Sequence, residues 1–217
     1  MKNLFPIYID LSGKKCLVVG GGKVAERKIK NILGFSPLLT VIAPVVTKKI
    51  SGLAETKKIK WLSRKFRKGD ISDCFLVFAA TNDETLNQDI ADICGSKNIP
   101  ANIAKPGSSG SFIVPAFIFE GGVSVAVSTS GQSPMLARLF KQQLHKEIGL
   151  YAKLLSVIRP FRARLLTANA DSNYNKTLWD KFFTYPVLDL IEKGKIEKVK
   201  ELAAKIFRGA EDDREVT

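Results

Sequence analysis

Three consecutive glycines, Gly20, Gly21 and Gly22, lie between the apolar run Cys16-Leu17-Val18-Val19 and the stretch Lys23-Val24-Ala25-Glu26-Arg27-Lys28. The order is that of a buried strand, a tight turn and a helix. Gly20 permits the reversal, Gly22 lets backbone approach a ligand closely, and Ala25 stands where helix must press on strand. Together they spell G-x-G-x-x-A, the dinucleotide fingerprint with alanine in its third place. Unpaired amides at the helix start, and the positive end of its dipole, suit a pyrophosphate. A second stretch with chemistry is Ser128-Thr129-Ser130-Gly131-Gln132-Ser133-Pro134-Met135-Leu136-Ala137-Arg138. Ser133 reads as an N-cap and Pro134 as the first helical residue, where a missing N–H costs nothing. Ser128, Thr129, Ser130 and Ser133, with Gly131 and with Arg138 one turn into the helix, read as an anion cradle.

Other chemistry is sparse. Cys16, Cys74 and Cys94 are scattered singly and His145 is the lone histidine, so no metal site is expected and the cysteines read as buried free thiols. No apolar run is long enough to cross a bilayer and the first residues lack a signal-peptide pattern, so a soluble cytoplasmic protein is expected.

Strand and helix alternate around the glycine turn. Strands are expected at residues 15–20, 39–43, 59–62, 74–80 and 99–103. Helices are expected at 23–33, with Val24, Ile29, Ile32 and Leu33 inward, at 45–53, and after Asp83 with Leu86, Ile90, Ile93 and Cys94 inward. This alternation predicts an α/β fold, a Rossmann-type doubly wound parallel sheet, with residues 74–80 as a central strand. Ligand then binds beyond the strand C-termini, which selects Gly20, Gly21, Gly22, Lys23 and Val24, then Ala43, Pro44 and Val45, then Thr81 and Asn82, and finally Asn102. No acid follows the second strand, so that position does not separate NAD from NADP.

Beyond residue 110 the pattern changes. Residues 111–119 and 123–127 read as a hairpin turning at Glu120-Gly121-Gly122, in a small sheet of its own. Phe112, Val114 and Phe117 have little local cover, which predicts burial against a second subunit. The remainder is helical: a stripe of Leu136, Leu139, Phe140, Leu144 and Ile148, then helices near 150–168, 174–183, 187–192 and 196–207, a loop at 169–173 and a polar tail from 211. The expected division is residues 1–110 as a dinucleotide-binding domain, 111–149 as a β-hairpin and helix dimerisation segment, and 150–217 as a helical domain.

The chain of 217 residues carries a net charge of +13. Lys48, Lys49, Lys57, Lys58, Lys60, Arg64, Lys65, Arg67 and Lys68 face the single acid Glu55 within 48–68. Aromatic interleaving is thin, with Trp61 and Phe66 alone, and no nucleic-acid motif is present, so this reads as a solvated basic face rather than a nucleic-acid site.

Taken in order, these stretches resemble the precorrin-2 dehydrogenase family, the first module of sirohaem synthases. The matching residues are Phe5-Pro6-Ile7-Tyr8, the run from Val18 through the glycines to Lys28, Ala79-Ala80-Thr81-Asn82-Asp83, Asn87, Asn102, Ser111-Phe112-Ile113-Val114-Pro115-Ala116, and the run from Ser128 to Arg138. The resemblance implies NAD-dependent oxidation of the tetrapyrrole precorrin-2 to sirohydrochlorin, iron insertion in some members, a homodimer built through the middle segment and a helical C-terminal domain. It places the many substrate carboxylates against Ser128, Thr129, Ser130, Gly131, Ser133 and Arg138. One departure stands out: the family's aspartate, assigned to proton removal and chelation, is replaced by Lys105. A lysine is a poor iron ligand and a base only with a much lowered pKa, so iron insertion is not expected and Lys105 could instead pair a substrate carboxylate. The alternatives are a non-catalytic relative that binds tetrapyrrole or dinucleotide for a partner enzyme, a nucleotide-sensing regulatory domain, and, last, a nucleic-acid binder.

Overall fold

The computed structural model describes residues 4–104, 110–167 and 172–212. The chain falls into two compact units, Met1–Val114 and Pro115–Thr217.

The first unit is a parallel sheet of β1 (Lys15–Val19), β2 (Leu38–Ile42), β3 (Lys60–Leu62), β4 (Leu76–Ala79) and β5 (Ala101–Ile103), ordered β3-β2-β1-β4-β5. Alternate residues point to opposite faces. Cys16, Val18, Val41 and Phe78 join Ala25, Ile29 and Ile32 of α1 (Lys23–Leu33) and Ile50 of α2 (Lys48–Glu55). Leu17, Val19, Ile42, Val77 and Ala79 join Ile90, Ala91 and Cys94 of α3 (Glu84–Ser96). Cover on both faces explains why β4 is apolar throughout and fully buried. The strand order reverses direction at β1, whose C-terminal end is the glycine turn. That reversal makes a crevice there.

Several local expectations shift. Val24 is exposed, and Ala25, at 0% exposure, fills the inward position that was assigned to it. The helix expected from residue 45 begins at Lys48, because Thr47 caps it by accepting from the Ile50 N–H. Strand β4 excludes Cys74 and Phe75, which lie at its entry. Phe112 and Val114, expected to have little cover within the chain, pack partly buried on the α1 side of the sheet, with the Phe112 ring edge-on to Phe78 at 5.6 Å.

In the second unit, β6 (Ala116–Glu120) and β7 (Val123–Val127) form an antiparallel hairpin. Its two turn residues, Gly121 and Gly122, both have positive φ, at 56° and 90°, the geometry that joins twisted strands most tightly. The hairpin packs on α4, a continuous helix over Pro134–Thr167. The expected break near residue 149 does not occur, because Gly149 lies within the helix without interrupting it. The buried residues of α4 are Ala137, Ile148, Ala152, Leu154, Val157 and Leu165, while Leu136, Leu139 and Phe140 of the expected stripe face outward. Helices α5 (Ser172–Phe183), α6 (Val187–Glu192) and α7 (Ile196–Asp212) close on the far end of α4. Their core is aromatic: the Phe207 ring lies 5.3 Å from Phe161, 4.3 Å from Trp179 and 5.5 Å from Phe182.

Candidate dinucleotide site

The three glycines differ in what excludes a side chain. Gly20 has φ +125°, and a Cβ there would sit 2.2 Å from the Ala80 carbonyl oxygen at the end of β4. At Gly21 a Cβ would meet the Val45 carbonyl oxygen at 2.0 Å. Around Gly22 nothing lies within 4 Å, so no part of the described fold requires glycine there. Gly22 is the N-cap of α1 and offers no side-chain cap. The first helical hydrogen bond runs from the Glu26 N–H to the Gly22 carbonyl, 2.9 Å, which leaves the amides of Lys23, Val24 and Ala25 without helical acceptors. An open glycine ahead of free amides is a cradle for a phosphate-bearing ligand.

The β2–α2 connection is fastened to this turn. The Thr47 N–H donates to the Gly21 carbonyl (3.0 Å), and its hydroxyl donates to Glu26 Oε2 (2.8 Å). Lys49 Nζ reaches Glu26 Oε1 at 3.1 Å. The Thr47 and Lys49 hydrogen bonds hold the Glu26 carboxyl below the usual carboxylate range. Ala43 is buried, with its carbonyl accepting from Trp61 Nε1 (2.9 Å), whereas Pro44 and Val45 are exposed and line an open hollow of about 460 Å³ with Lys48, Ser51, Glu55 and Trp61.

Asn87 holds the β4–α3 loop. Its Oδ1 accepts from the Thr81 N–H (3.2 Å) and hydroxyl (2.8 Å), and its Nδ2 donates to the Thr81 carbonyl (3.0 Å). Asp83 caps α3, accepting from the Leu86 N–H at 3.0 Å. Thr81 and Asn82 thus stand at the crevice, with Thr81 fixed from behind. The sequence reading gave Asn87 no role; the available signal was a lone amide among Leu86, Ile90, Ile93 and Cys94 on an apolar helix face. Asn87→Ala strands buried partners on Thr81 and is expected to cost about 2–3 kcal/mol in denaturant unfolding. Unchanged stability would contradict that role. Asn102 is also buried, on the α1 side of the sheet. Its Nδ2 donates to the Phe112 carbonyl (2.9 Å) and its Oδ1 has no partner among the described residues.

Lys28, on α1, lies 5.9 Å over the Phe78 ring and has no ion-pair partner among the described residues. Burial first, then neighbouring Arg27, pulls its pKa down to about 8. The unfolded chain keeps that proton to about 10.5, so between these values the unfolded state binds more protons and stability rises with pH. Lys28→Met is therefore expected to be more stable than the parent at pH 7 by about 1–2 kcal/mol, after discounting for solvent screening. The gap should close as pH climbs past 8. Thermal unfolding at pH 7 and pH 10 tests this, and a gap that does not change with pH contradicts it.

In the second unit, the hydroxyl-rich stretch braces its own turn and cap. Ser133 Oγ accepts from the Leu136 N–H (3.2 Å), Thr129 Oγ1 accepts from the Ser133 N–H and donates to its carbonyl (both 3.0 Å), and Ser128 Oγ accepts from the Ser130 N–H (3.0 Å). Ser130 and Gly131 have positive φ, and Arg138 is exposed one turn into α4. Lys105 lies outside the described residues.

Burial raises the thiols of Cys16 and Cys94 to about 11 and raises that of Cys74, so all three are protonated at neutral pH. Among the described residues no cluster of His, Cys, Asp or Glu is arranged for a metal, and no helix is long and apolar enough to cross a membrane.

A family described as NAD(P)-binding matches residues 7–116, about half of the chain, and one described as the sirohaem biosynthesis protein central region matches residues 120–147. The chain belongs to the NAD(P)-binding family whose pattern spans residues 7–116. The resemblance drawn from the sequence is thereby borne out. Relatives in the family include the sirohaem synthase of Thioalkalivibrio sulfidiphilus, 31% identical over 214 residues that cover 98% of this chain and 44% of that protein. That of Neisseria meningitidis serogroup C is 39% identical over 142 residues, covering 65% and 30%. The chain thus spans less than half the length of the curated relatives it matches. Among solved structures, SirC, a precorrin-2 dehydrogenase, superposes with a TM-score of 0.74 at 25% identity, covering 94% of this chain and all of that one. The fold class read from the sequence, a doubly wound sheet followed by a small β element and helices, matches that neighbour.

Proposed function

We propose that this chain catalyses NAD-dependent oxidation of precorrin-2 to sirohydrochlorin in sirohaem biosynthesis. The observation that carries the reading is Gly22: an open glycine at an uncapped helix start, at the sheet's switch point, in a chain whose fold follows a precorrin-2 dehydrogenase nearly end to end. The residues present fit a dinucleotide. The amides of Lys23, Val24 and Ala25 would hold the diphosphate, Pro44 and Val45 would flank its adenosine side, and Thr81 and Asn82 would border the crevice. When bound, NAD supplies the hydride acceptor.

The substrate is a polycarboxylic tetrapyrrole, and a chain of net charge +13 attracts it over a distance. Arg138 offers a forked donor for one carboxylate. Thr129 spends its hydroxyl hydrogen on the Ser133 carbonyl, whereas Ser128 and Ser133 only accept, so their O–H groups, with Ser130 and Gly131, are left to contact further arms. The protein acts as a cytoplasmic homodimer, with residues 111–149 as the contact segment. Phe119 of the hairpin and the outward stripe Leu136, Leu139 and Phe140, with Met135 at 81% exposure, support that contact. Residues 1–110 form the NAD-binding part and 150–217 a helical domain, and neither nucleic acid nor membrane is a partner.

Purified protein given NAD and precorrin-2 should develop the absorbance of sirohydrochlorin, whereas NAD binding without turnover would overturn the assignment. That second outcome would favour a delivery role for a partner enzyme, a reading supported by Lys105 in the place of the family's aspartate. Iron insertion is not expected for the same reason.

A further inference from the structure

Thr47 stands where three pieces of the first unit meet: the glycine turn, the first turn of α1 and the start of α2. Its N–H donates to the Gly21 carbonyl (3.0 Å), its one hydroxyl hydrogen goes to Glu26 Oε2 (2.8 Å), and its Oγ1 accepts from the Ile50 N–H (3.4 Å). The last of these caps α2, and it is the longest of the three. An aspartate would cap that helix at least as well, but it has no hydrogen to give Glu26. The link to α1, rather than the cap, is what calls for a hydroxyl here. Lys49 also reaches Glu26, at 3.1 Å, yet its side chain is 80% exposed and such a pair fixes little. The two distant partners of Thr47 have a telling placement. Gly21 and Glu26 bracket the open Gly22 and the free amides of Lys23, Val24 and Ala25. Thr47 thereby ties residues 44–46, which lead to it from β2, to both ends of the amide cradle.

We propose that Thr47 is a positioning residue for the dinucleotide, holding the wall formed by residues 44–46 at a fixed distance from the cradle. This rests on the dinucleotide site of the preceding section and adds a residue that acts through the wall rather than on the ligand. A wall held in advance spares the ligand the cost of ordering it. Without the hydroxyl bond, only the backbone bond from Thr47 to Gly21 keeps that residue on the turn.

Titration calorimetry of the full chain with NAD, and with ADP-ribose, which keeps the diphosphate and adenosine but lacks nicotinamide, tests the proposal. Thr47→Val removes the hydroxyl and keeps the shape, and is expected to weaken both ligands by about tenfold. Thr47→Ser keeps a hydroxyl and should bind both within about twofold of the parent. Thr47→Gly caps a helix nearly as well as threonine, should bind as weakly as Thr47→Val, and carries the test if the valine variant does not fold. In turnover, the KM for NAD should rise while kcat and the KM for precorrin-2 hold. A folded valine or glycine variant with the parent's affinity, or a serine variant as weak as valine, would overturn the inference and leave the dinucleotide site standing. A parent that binds neither ligand would overturn both.

Discussion

Gly22→Val is expected to abolish dinucleotide binding while the protein stays folded. At this position φ is −84°, open to any residue, and an added Cβ meets nothing within 4 Å. Valine is a poorer N-cap than glycine, a cost of at most about 1 kcal/mol. The side chain would instead fill the space over the Lys23, Val24 and Ala25 amides, where the diphosphate must come. Loss of those contacts is expected to weaken NAD by on the order of a hundredfold or more, about 2.7 kcal/mol. Titration calorimetry beside thermal unfolding separates the two effects. Tight NAD binding in a folded Gly22→Val protein would remove the ligand from this turn.

The neighbouring glycine should behave in the opposite way. Gly21→Ala places a methyl group 2.0 Å from the Val45 carbonyl oxygen, which is backbone and cannot swing aside. The β2–α2 connection would have to retreat, breaking the Thr47–Gly21 hydrogen bond and straining the Thr47 and Lys49 bonds to Glu26. The expected cost is about 3–5 kcal/mol, the range of severe overpacking, read as a lower denaturant midpoint for the first unit. A midpoint within error of the parent's would show that the connection is looser than its bonding implies. The contrast between adjacent glycines is the informative part: one keeps space for the protein, the other keeps it for a ligand.

The parallel sheet was legible because its strands are buried on both faces and therefore read as apolar runs, and because glycine, proline and capping residues mark their ends. The glycine turn was legible for a different reason, since its chemistry is local in sequence. What the sequence hid were relations between distant segments. Nothing near Gly21 announces that Val45 lies against it, and nothing near Asn87 announces Thr81. The same holds for Phe112 and Val114. Their apolar character was plain, but the surface that covers them is the α1 side of the sheet, which only the fold brings to them. On α4 the choice of inward face failed for a subtler reason. Leu136, Leu139 and Phe140 are the larger residues, yet the hairpin comes closest to α4 at Gly149 and Ala152, where small residues allow close approach. A Cβ on Gly121 would stand 2.8 Å from that of Ala152, which shows how tight the seat is. The hydroxyls at 128–133 show what composition hides: three of the four also brace the backbone of their own turn, and of those only Thr129 donates its hydrogen to it.

The central claim, that backbone amides at the start of α1 grip a diphosphate, is most directly tested by amide chemical shifts during titration with NAD. The account predicts that Gly22, Lys23, Val24 and Ala25 move most and saturate together, with Thr81 and Asn82 following. Saturating NAD that leaves those four amides in place and shifts residues elsewhere would contradict it.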